Sequence, residues 1–343
     1  MVLSYRKGTN NAKVVPINME NKRSYLVAGG AGFIGSFICE ELLKRDYIVT
    51  CVDNLSTGRK KNIEQLLVNS KFSFIPADIT KEDQFPSFAT RHFDYILHLA
   101  SPAGPNPESP KSYHKLWQQT YLANSLGTHL LCNLADKNNA VFLFASSSEV
   151  YGDPQVHPQK EDYFGYVNPT GPRAVYDESK RLGEAIVANF SRHKGLKTRI
   201  VRIFNTYGPR MNILDGRALP LFIYQTIKNK PITIYGDGKQ SRSFCYIDDQ
   251  VNGILDLLDC QQANALPVNI GNPEEITIND LLAKIKNLTG SLPKIIYKSL
   301  PENDPLRRKP DIQRAEKLLH WQPFVSLDEG IKKTYQHFLN IIK

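Results

Sequence analysis

The chain has 343 residues, of which 41% are hydrophobic, so it is long enough for about two domains with a sizeable core. Its 43 lysines and arginines outnumber 34 acidic residues, which gives a formal charge of +9. That surplus suits an anionic partner, but many enzymes carry as much, so the charge alone favours no function. No run approaches the roughly 18 to 20 apolar residues of a membrane helix, and we predict no membrane association.

The five cysteines are scattered, odd in number and without the close spacing of a zinc site. This pattern excludes a zinc ribbon and argues against a disulfide framework, so we predict a reducing compartment and a cytoplasmic protein. Residues 1–23 are polar and mixed in character, unlike a signal peptide. They predict a solvated, disordered leader.

From residue 24 onward, short apolar runs alternate with helical patterns. The runs are 25–28, 48–52, 72–75, 95–99, 141–145 and 198–203, and the main helical patterns are 33–44, 112–136 and 175–193. Runs of this kind indicate strands buried on both faces, joined by crossover helices. We therefore predict an α/β fold with a Rossmann doubly wound parallel sheet over 24–205. The rhythm then breaks, which predicts a smaller mixed α/β lobe over 206–343, with segments near 243–270 returning to the Rossmann domain.

The sequence GGAGFIG (29–35) directly follows the first predicted strand and opens a predicted helix. Gly29, Gly32 and Gly35 permit a tight turn and the close approach of a pyrophosphate, which the helix start at Phe33 and Ile34 would bind. A glycine-rich turn that only caps the helix is the alternative. The predicted cofactor is a dinucleotide.

Asp53 ends the second predicted strand, where a carboxylate can accept both ribose hydroxyls and would repel a 2′-phosphate. This favours NAD, although Arg59 and Lys60 just beyond leave NADP open. Asp78 could flank the adenine or merely cap the next turn. The further predicted cofactor contacts are Asn54, Asp78, Ile79, Leu99 and Ala100.

Tyr176 and Lys180 stand four residues apart on a predicted helix, and hence on one face. An ammonium beside a phenol lowers the pKa of the phenol, and a nicotinamide cation lowers it further. A phenolate can take a proton from a sugar or alcohol hydroxyl while hydride leaves the same carbon. The spacing alone arises often by chance. Three serines (146–148) at the end of the fifth predicted strand support it, because ligands bind at that edge of such sheets.

With these residues the chain resembles the extended short-chain dehydrogenase/reductase family, the NAD-dependent epimerases and dehydratases, from about residue 24 to its end. It is most similar to the family members that decarboxylate UDP-glucuronate. The matching segments are SEVYGDP (148–154), VHPQ (156–159), VNP (167–169), GPR (171–173), YDE (176–178), RIFNTYGPRM (202–211), DGR (215–217), GNPEE (271–275) and RKPDI (308–312). The resemblance implies conversion of UDP-glucuronate to UDP-xylose through C4 oxidation, loss of CO₂ and return of the hydride.

The resemblance also implies individual roles. Tyr176, aided by Lys180, would deprotonate the C4 hydroxyl. Glu149 would orient the 4-keto intermediate or relay a proton, and Arg308 would meet the substrate carboxylate. Two serines complete the implied catalytic set: Ser147 replaces the usual threonine beside the C4 oxygen, and Ser148 stands where 4,6-dehydratases have an aspartate that protonates the leaving hydroxyl.

Substrate binding would fall, by the same resemblance, to a set of polar residues: Asn124, Asn205, Arg217, Tyr235, Arg242 and Arg308. Ser179 stands where decarboxylases usually have glycine, and 103–115 and 218–221 follow the family pattern poorly. A 4-epimerase or 4,6-dehydratase acting on another nucleotide sugar is therefore the alternative. A nucleic-acid-binding protein is disfavoured because the basic residues are dispersed. The resemblance further implies a homodimer, paired through helices 112–136 and 175–193, and no metal.

Overall fold

The computed structural model describes residues 23–300 and 307–342, with the side chain of residue 214 left aside. The leader predicted for 1–23 lies outside this part of the chain, apart from Arg23. Within the described residues, every helix is too short or too polar to cross a bilayer.

The described chain forms fourteen strands and ten α-helices. The strands are β1 Ser24–Ala28, β2 Ile48–Val52, β3 Phe72–Ile75, β4 Tyr95–His98, β5 Val141–Ser147, β6 Thr198–Ile203, β7 Thr206–Tyr207, β8 Ile232–Tyr235, β9 Ser241–Ser243, β10 Cys245–Tyr246, β11 Pro267–Ile270, β12 Glu275–Thr277, β13 Ile295–Lys298 and β14 Arg307–Arg308. The helices are α1 Phe33–Lys44, α2 Pro86–Ala89, α3 Trp117–Leu122, α4 Thr128–Asn138, α5 Ala174–Lys194, α6 Ala218–Ile227, α7 Ile247–Asp259, α8 Ile278–Thr289, α9 Gln313–Leu319 and α10 Leu327–Ile342.

Seven parallel strands form the central sheet, in the order β3-β2-β1-β4-β5-β6-β11. Helices cover both faces, so the strands are buried on both sides and consist of nearly continuous apolar residues. The six strands predicted from the sequence all lie in this sheet, which confirms the predicted Rossmann fold. The order reverses between β1 and β4, and open sheets of this kind bind ligands at such a point.

The chain returns to the large sheet after forming part of the smaller lobe. Helix α7 packs against β6, β11 and α1, and β11 pairs with β6. The smaller lobe contributes three short sheets, β10-β7, β13-β8 and β12-β9-β14. In the last of these, Arg308 of β14 is the direct partner of Arg242 of β9.

The helix predicted over 112–136 begins later than expected, at Trp117. The backbone N–H of Ser112 donates to the carbonyl of Ser109, and that of Tyr113 donates to the carbonyl of Gly104. Their N–H groups therefore belong to a loop rather than to a helical turn. From Ala123 to Gly127 the helix widens into a π turn, a local distortion often found at functional sites.

Candidate active site

A cavity of about 1080 Å³ opens where β1, β2, β4, β5 and β6 end. Its wall runs from the glycine turn across the sheet to the smaller lobe. Of the residues predicted from the sequence as site residues, only Asn124 is missing from this wall. The fold therefore brings the predicted cofactor, catalytic and substrate residues into one space.

The glycine turn has the shape that a pyrophosphate requires. Gly29 has a positive φ of 82°, and a Cβ there would lie 2.6 Å from the backbone nitrogen of Ala100. A Cβ at Gly35 would lie 2.2 Å from the carbonyl oxygen of Gly29. Helix α1 then begins after Gly32 with no side-chain cap, so its first N–H groups remain available at the cavity. These features fit a dinucleotide phosphate.

Asp53 lies behind the glycine turn at the end of β2. Its two carboxylate oxygens accept hydrogen bonds from the backbone N–H groups of Ala31 (3.0 Å) and Leu55 (2.8 Å). Burial raises the pKa of this carboxyl, and the two backbone donors lower it. A carboxylate has about four acceptor positions, so two remain for ribose hydroxyls. The site therefore fits the adenosine half of NAD.

Asp78 makes the turn cap considered from the sequence and also lines the cavity. Its Oδ1 accepts from the N–H and the hydroxyl of Thr80, at 2.9 and 2.8 Å, and so caps the following turn. Its Oδ2 accepts from Asn54, and both residues line the cavity. An adenine contact by Asp78 remains a prediction.

Helix α5 carries Tyr176 and Lys180 over the end of β5. A Cβ at Gly183, one turn beyond Lys180, would lie 2.3 Å from the ring of Phe144, so this glycine lets the helix approach the strand closely. The ammonium nitrogen of Lys180 donates to the Ala145 carbonyl at 2.7 Å and lies 5.7 Å from the ring centre of Tyr176. Both side chains are buried and line the cavity.

The pKa of Tyr176 differs from the sequence expectation. Burial raises it to about 12, although a hydrogen bond with Ser147 and the charge of Arg217 lower it. Burial also lowers the pKa of Lys180 to about 7, and Glu184 opposes that shift. In the protein without its cofactor, desolvation of the phenol outweighs the groups that lower its pKa.

Glu149 lies between two arginines at the cavity wall. Its Oε2 accepts from Arg173 at 2.6 Å, and its Oε1 accepts from Arg308. Burial raises the pKa of the Glu149 carboxyl, but the two guanidinium groups outweigh it and hold the pKa well below its usual range. Glu149 is therefore ionised, which suits an orienting role better than that of a proton donor.

Arg308 is 3% exposed and is held by the protein at two of its nitrogens. It donates to Glu149 and to the Gly152 carbonyl, the latter at 3.2 Å. Its Nε has no hydrogen-bond partner among the described residues. A buried guanidinium with a donor left over at a cavity wall suits an anionic group of a ligand.

Asp177 belongs to the same charged cluster but does not line the cavity. It is 5% exposed, and its Oδ1 has no hydrogen-bond partner among the described residues. Burial and the negative charge of Glu149 raise the pKa of Asp177 to about 8, while Arg173 and Arg308 lower it. Burial and Glu149 therefore favour the protonated form of this carboxyl.

Replacing Asp177 with asparagine is expected to stabilise the protein at alkaline pH. A carboxyl whose pKa is raised on folding contributes stability below the unfolded pKa of about 4, and this stability is lost as the pH rises toward about 8. The asparagine side chain does not titrate, so the difference in Tm between variant and wild type should grow from about pH 5 to about pH 8. Asp136→Asn, at an exposed carboxyl on α4, is the matched control and should show no such growth. A constant difference in Tm would contradict the assignment.

The arginines of the smaller lobe face the same cavity. Arg242 donates to the backbone carbonyl of Ser241, and Arg217 pairs with Asp215 and donates to the Ala103 carbonyl at 2.9 Å. Asn205 and Tyr235 also line the wall, with Tyr235 half-exposed. These four predicted substrate-binding residues thus line the same cavity.

Asn124 lies behind the cavity wall in the π turn. Its side-chain amide donates to the hydroxyls of Ser101 and Ser179, each at 3.0 Å, and it is fully buried. Ser179, which departs from the family pattern, thus supplies one of these acceptors. The Oδ1 of Asn124 has no hydrogen-bond partner among the described residues, and the substrate contact predicted for Asn124 stays a prediction.

The sequence did not single out two residues at the centre of this site. Arg173 lies in the matching segment GPR, but nothing in its spacing indicates that it binds Glu149. Tyr113 lies in the stretch 103–115 that follows the family pattern poorly, and its ring stacks on Tyr176 with centres 5.1 Å apart. Both contacts join parts of the chain that are distant in sequence.

The fold and the cavity define a dinucleotide-binding α/β enzyme with a tyrosine and lysine pair beside its cofactor turn. A model of the NAD dependent epimerase/dehydratase family matches residues 25–271, and the chain belongs to this family. NAD is accordingly its cofactor.

Relatives with assigned functions are similar over almost the whole chain. UDP-glucuronic acid decarboxylase 1 of Xenopus tropicalis is 42% identical over 322 residues, which cover 94% of this chain and 73% of the relative. UDP-glucuronic acid decarboxylase 6 of Arabidopsis thaliana is 41% identical over 329 residues, covering 96% and 91%.

Solved structures of the same fold include epimerases. The UDP-glucuronic acid 4-epimerase of Bacillus cereus, solved with UDP-glucuronic acid and NAD, has a TM-score of 0.82 and is 29% identical, covering 93% of this chain and 99% of that one. The UDP-glucose 4-epimerase of Thermotoga maritima, solved with UDP-glucose, has a TM-score of 0.84 at 29% identity, covering 93% and 100%.

Proposed function

We propose that the chain is an NAD-dependent enzyme that decarboxylates UDP-glucuronate to UDP-xylose. The observation that carries this proposal is the buried Glu149 and Arg308 pair on the wall that also holds Tyr176. This wall thus combines a guanidinium that can bind a carboxylate with the tyrosine that would act as the base when the nearby carbon C4 is oxidised. The decarboxylases that are 40–42% identical over nearly the whole chain support the same substrate.

The reaction begins at the C4 hydroxyl of the sugar. Tyr176 accepts the hydroxyl proton, and Ser147 holds the C4 oxygen in place. NAD, when bound, supplies the acceptor for the C4 hydride and later returns it. Lys180, buried below the phenol, supplies positive charge that favours the phenolate.

Loss of CO₂ follows from the C4 ketone. The C5–C6 bond breaks, its electron pair moves into the enolate at C4, and C6 leaves as CO₂. Arg308 holds the carboxylate until that bond breaks, and Glu149 keeps Arg308 in position. A proton then adds to C5, so the reaction consumes one proton overall.

The nucleotide end of the substrate is assigned to the smaller lobe. Arg217 and Arg242 are suited to the diphosphate, because guanidinium groups bind phosphate oxygens in pairs. Asn205 and Tyr235 complete this wall. These four roles are part of the proposal.

A 4-epimerase that retains the carboxylate is the second candidate. It is favoured by the solved UDP-glucuronic acid 4-epimerase and by the two divergent stretches, 103–115 and 218–221, several residues of which line the cavity. A 4,6-dehydratase is less well supported, because Ser148 cannot act as the acid that eliminates the C6 hydroxyl.

The distinguishing experiment is mass spectrometry of the nucleotide sugars formed from UDP-glucuronate by purified protein with NAD⁺, together with proton NMR of the configuration at C4, because epimers have equal mass. We expect a UDP-pentose, lighter than the substrate by one CO₂. A product of unchanged mass with inverted C4 would support the epimerase instead. Unaltered substrate would refute both candidates, and parallel incubation with UDP-glucose would report a loss of water.

We also propose that two copies of the chain pair through α3 and α5. Trp117 (52% exposed), Tyr121 (38%) and Leu182 (49%) present apolar surface on these neighbouring helices. Such a surface suits a second copy that contributes the same two helices. Light scattering should give about twice the 38.8 kDa of one chain, whereas a monomeric mass would refute this pairing.

A cytoplasmic location completes the proposal. The five cysteines are all free and buried, as suits a reducing compartment. Fractionation of cells that express the tagged chain tests this location, and recovery in a secretory fraction would contradict it.

A further inference from the structure

Tyr113 is a buried residue on the cavity wall whose hydroxyl lacks a hydrogen-bond partner. Its side chain is 1% exposed. Its hydroxyl has no hydrogen-bond partner among the described residues, and the residue lines the cavity. Buried hydroxyls are nearly always hydrogen-bonded, so a phenol left unsatisfied at a cavity wall points to a partner that a ligand brings.

The ring of Tyr113 is held firmly while its hydroxyl is not. The ring stacks on that of Tyr176, with centres 5.1 Å apart and planes 13° apart. The ring of His114 lies 4.3 Å away, and the backbone N–H of Tyr113 donates to Gly104 at 3.0 Å. Packing therefore sets the position of the phenol next to the proposed base, and its hydroxyl remains for the ligand.

The charged groups around Tyr113 are those of the Glu149 cluster. Burial raises the pKa of Tyr113, Arg173 lowers it, and Glu149, Asp177 and Tyr176 raise it. The phenol is therefore protonated at neutral pH and can donate a hydrogen bond. Glu149 accepts from Arg173 and Arg308 and makes no hydrogen bond with Tyr113, so an acidic ligand group can supply the acceptor that Tyr113 lacks.

We propose that Tyr113 is a specificity-determining residue that donates a hydrogen bond to the sugar carboxylate of the bound uronate. This inference rests on the proposed function, because a uronic acid is the substrate that brings a carboxylate to this wall. Tyr113 belongs to the stretch 103–115 that departs from the family pattern, so the contact would be a contribution of this chain's own loop.

The test compares the binding of UDP-glucuronate and UDP-xylose, which differ only in the carboxylate. Calorimetry with the NAD-loaded Tyr176→Phe protein, in which we expect turnover to be greatly slowed, gives the Kd of each. Adding Tyr113→Phe should weaken the binding of UDP-glucuronate by about 10-fold or more, which is the effect of losing a hydrogen bond to a charged group. The Kd of UDP-xylose should stay unchanged. An equal effect on both sugars, or no effect on either, would overturn the proposal.

Tyr151→Phe is the matched control, because Tyr151 is equally buried but its hydroxyl is satisfied. That hydroxyl donates to Asn269 at 2.8 Å and accepts from Arg202 at 2.9 Å. We expect Tyr151→Phe to lower the Tm and keep the ratio of the two affinities, and Tyr113→Phe to keep or raise the Tm. If Tyr113→Phe lowers the Tm and weakens the binding of both sugars equally, Tyr113 supports the fold rather than binding the carboxylate.

Failure of the proposed function would be visible separately. It would appear as wild-type protein that releases no CO₂ from UDP-glucuronate. The Tyr113 inference depends instead on the difference between two binding constants, which requires no turnover.

Discussion

Replacing Tyr176 with phenylalanine is expected to lower the turnover of UDP-glucuronate by about 10²- to 10⁴-fold, the usual contribution of a positioned general base. The phenol hydroxyl bonds Ser147 at the cavity wall, and its loss removes the proposed acceptor of the C4 proton. The ring itself remains, so its stacking on Tyr113 and the fold should persist. Rates come from mass spectrometry of the sugars, and bound NAD from its content per protein.

The pH dependence gives this prediction a second readout. Tyr176 acts as a base only when deprotonated, and burial raises its pKa to about 12 in the protein alone. The rate of the wild-type enzyme should therefore rise with pH, and this rise should vanish in Tyr176→Phe. Tyr297→Phe, at an exposed phenol on β13, is the control and should behave as wild type. Appreciable turnover by Tyr176→Phe, with the wild-type pH profile, would remove Tyr176 as the base.

Replacing Arg308 is expected to damage decarboxylation more than nucleotide binding. Arg308→Lys keeps the charge but loses the planar fork that suits a carboxylate, so kcat/KM for UDP-glucuronate should fall by about 10- to 150-fold, equivalent to about 1.5–3 kcal/mol. The affinity for UDP, which has no sugar carboxylate, should stay unchanged. Titration with UDP and initial rates with UDP-glucuronate measure the two effects.

The lysine variant is preferred because Arg308→Ala leaves Glu149 with one arginine in a buried site. Breaking such a pair costs about 3–5 kcal/mol and could unfold the protein. Tm and NAD content show whether each variant is folded. Arg314→Lys is the control, since Arg314 donates to the Pro267 carbonyl and does not line the cavity. Equal losses in UDP binding and in decarboxylation would reduce Arg308 to a general positioning role.

Much of the cofactor half could be predicted because it depends on local spacing. The glycine turn, Asp53 and the first six strands lie in one continuous alternation of strand and helix, and all of them occupy the predicted places. The same holds for Tyr176 and Lys180, because a spacing of four places two side chains on one helical face. The predicted start of the helix at residue 112 was wrong, because the backbone N–H groups of Ser112 and Tyr113 bond to Ser109 and Gly104 rather than to a helical turn.

The ionisation states could not be predicted from residue types. An ammonium four residues from a phenol suggested a lowered pKa for Tyr176, yet burial has the larger effect and raises it. Likewise, Asp177 lies beside the tyrosine in sequence with no sign that Glu149 and burial favour its protonated form. Desolvation depends on all the atoms packed around a group, and these come from distant parts of the chain.

The sheet, the NAD turn and the pairing of Tyr176 with Lys180 can be predicted from sequence patterns, since each follows from residues close together in the chain. The substrate side of the cavity, in contrast, forms only when distant segments pack together. There, pairing of β14 with β9 sets Arg308 beside Arg242, Glu149 joins Arg173 to Arg308, and the Asn124 amide donates to Ser179. A strand register shifted by one residue would turn such side chains to the opposite face, so these contacts depend on long-range packing that no local pattern encodes.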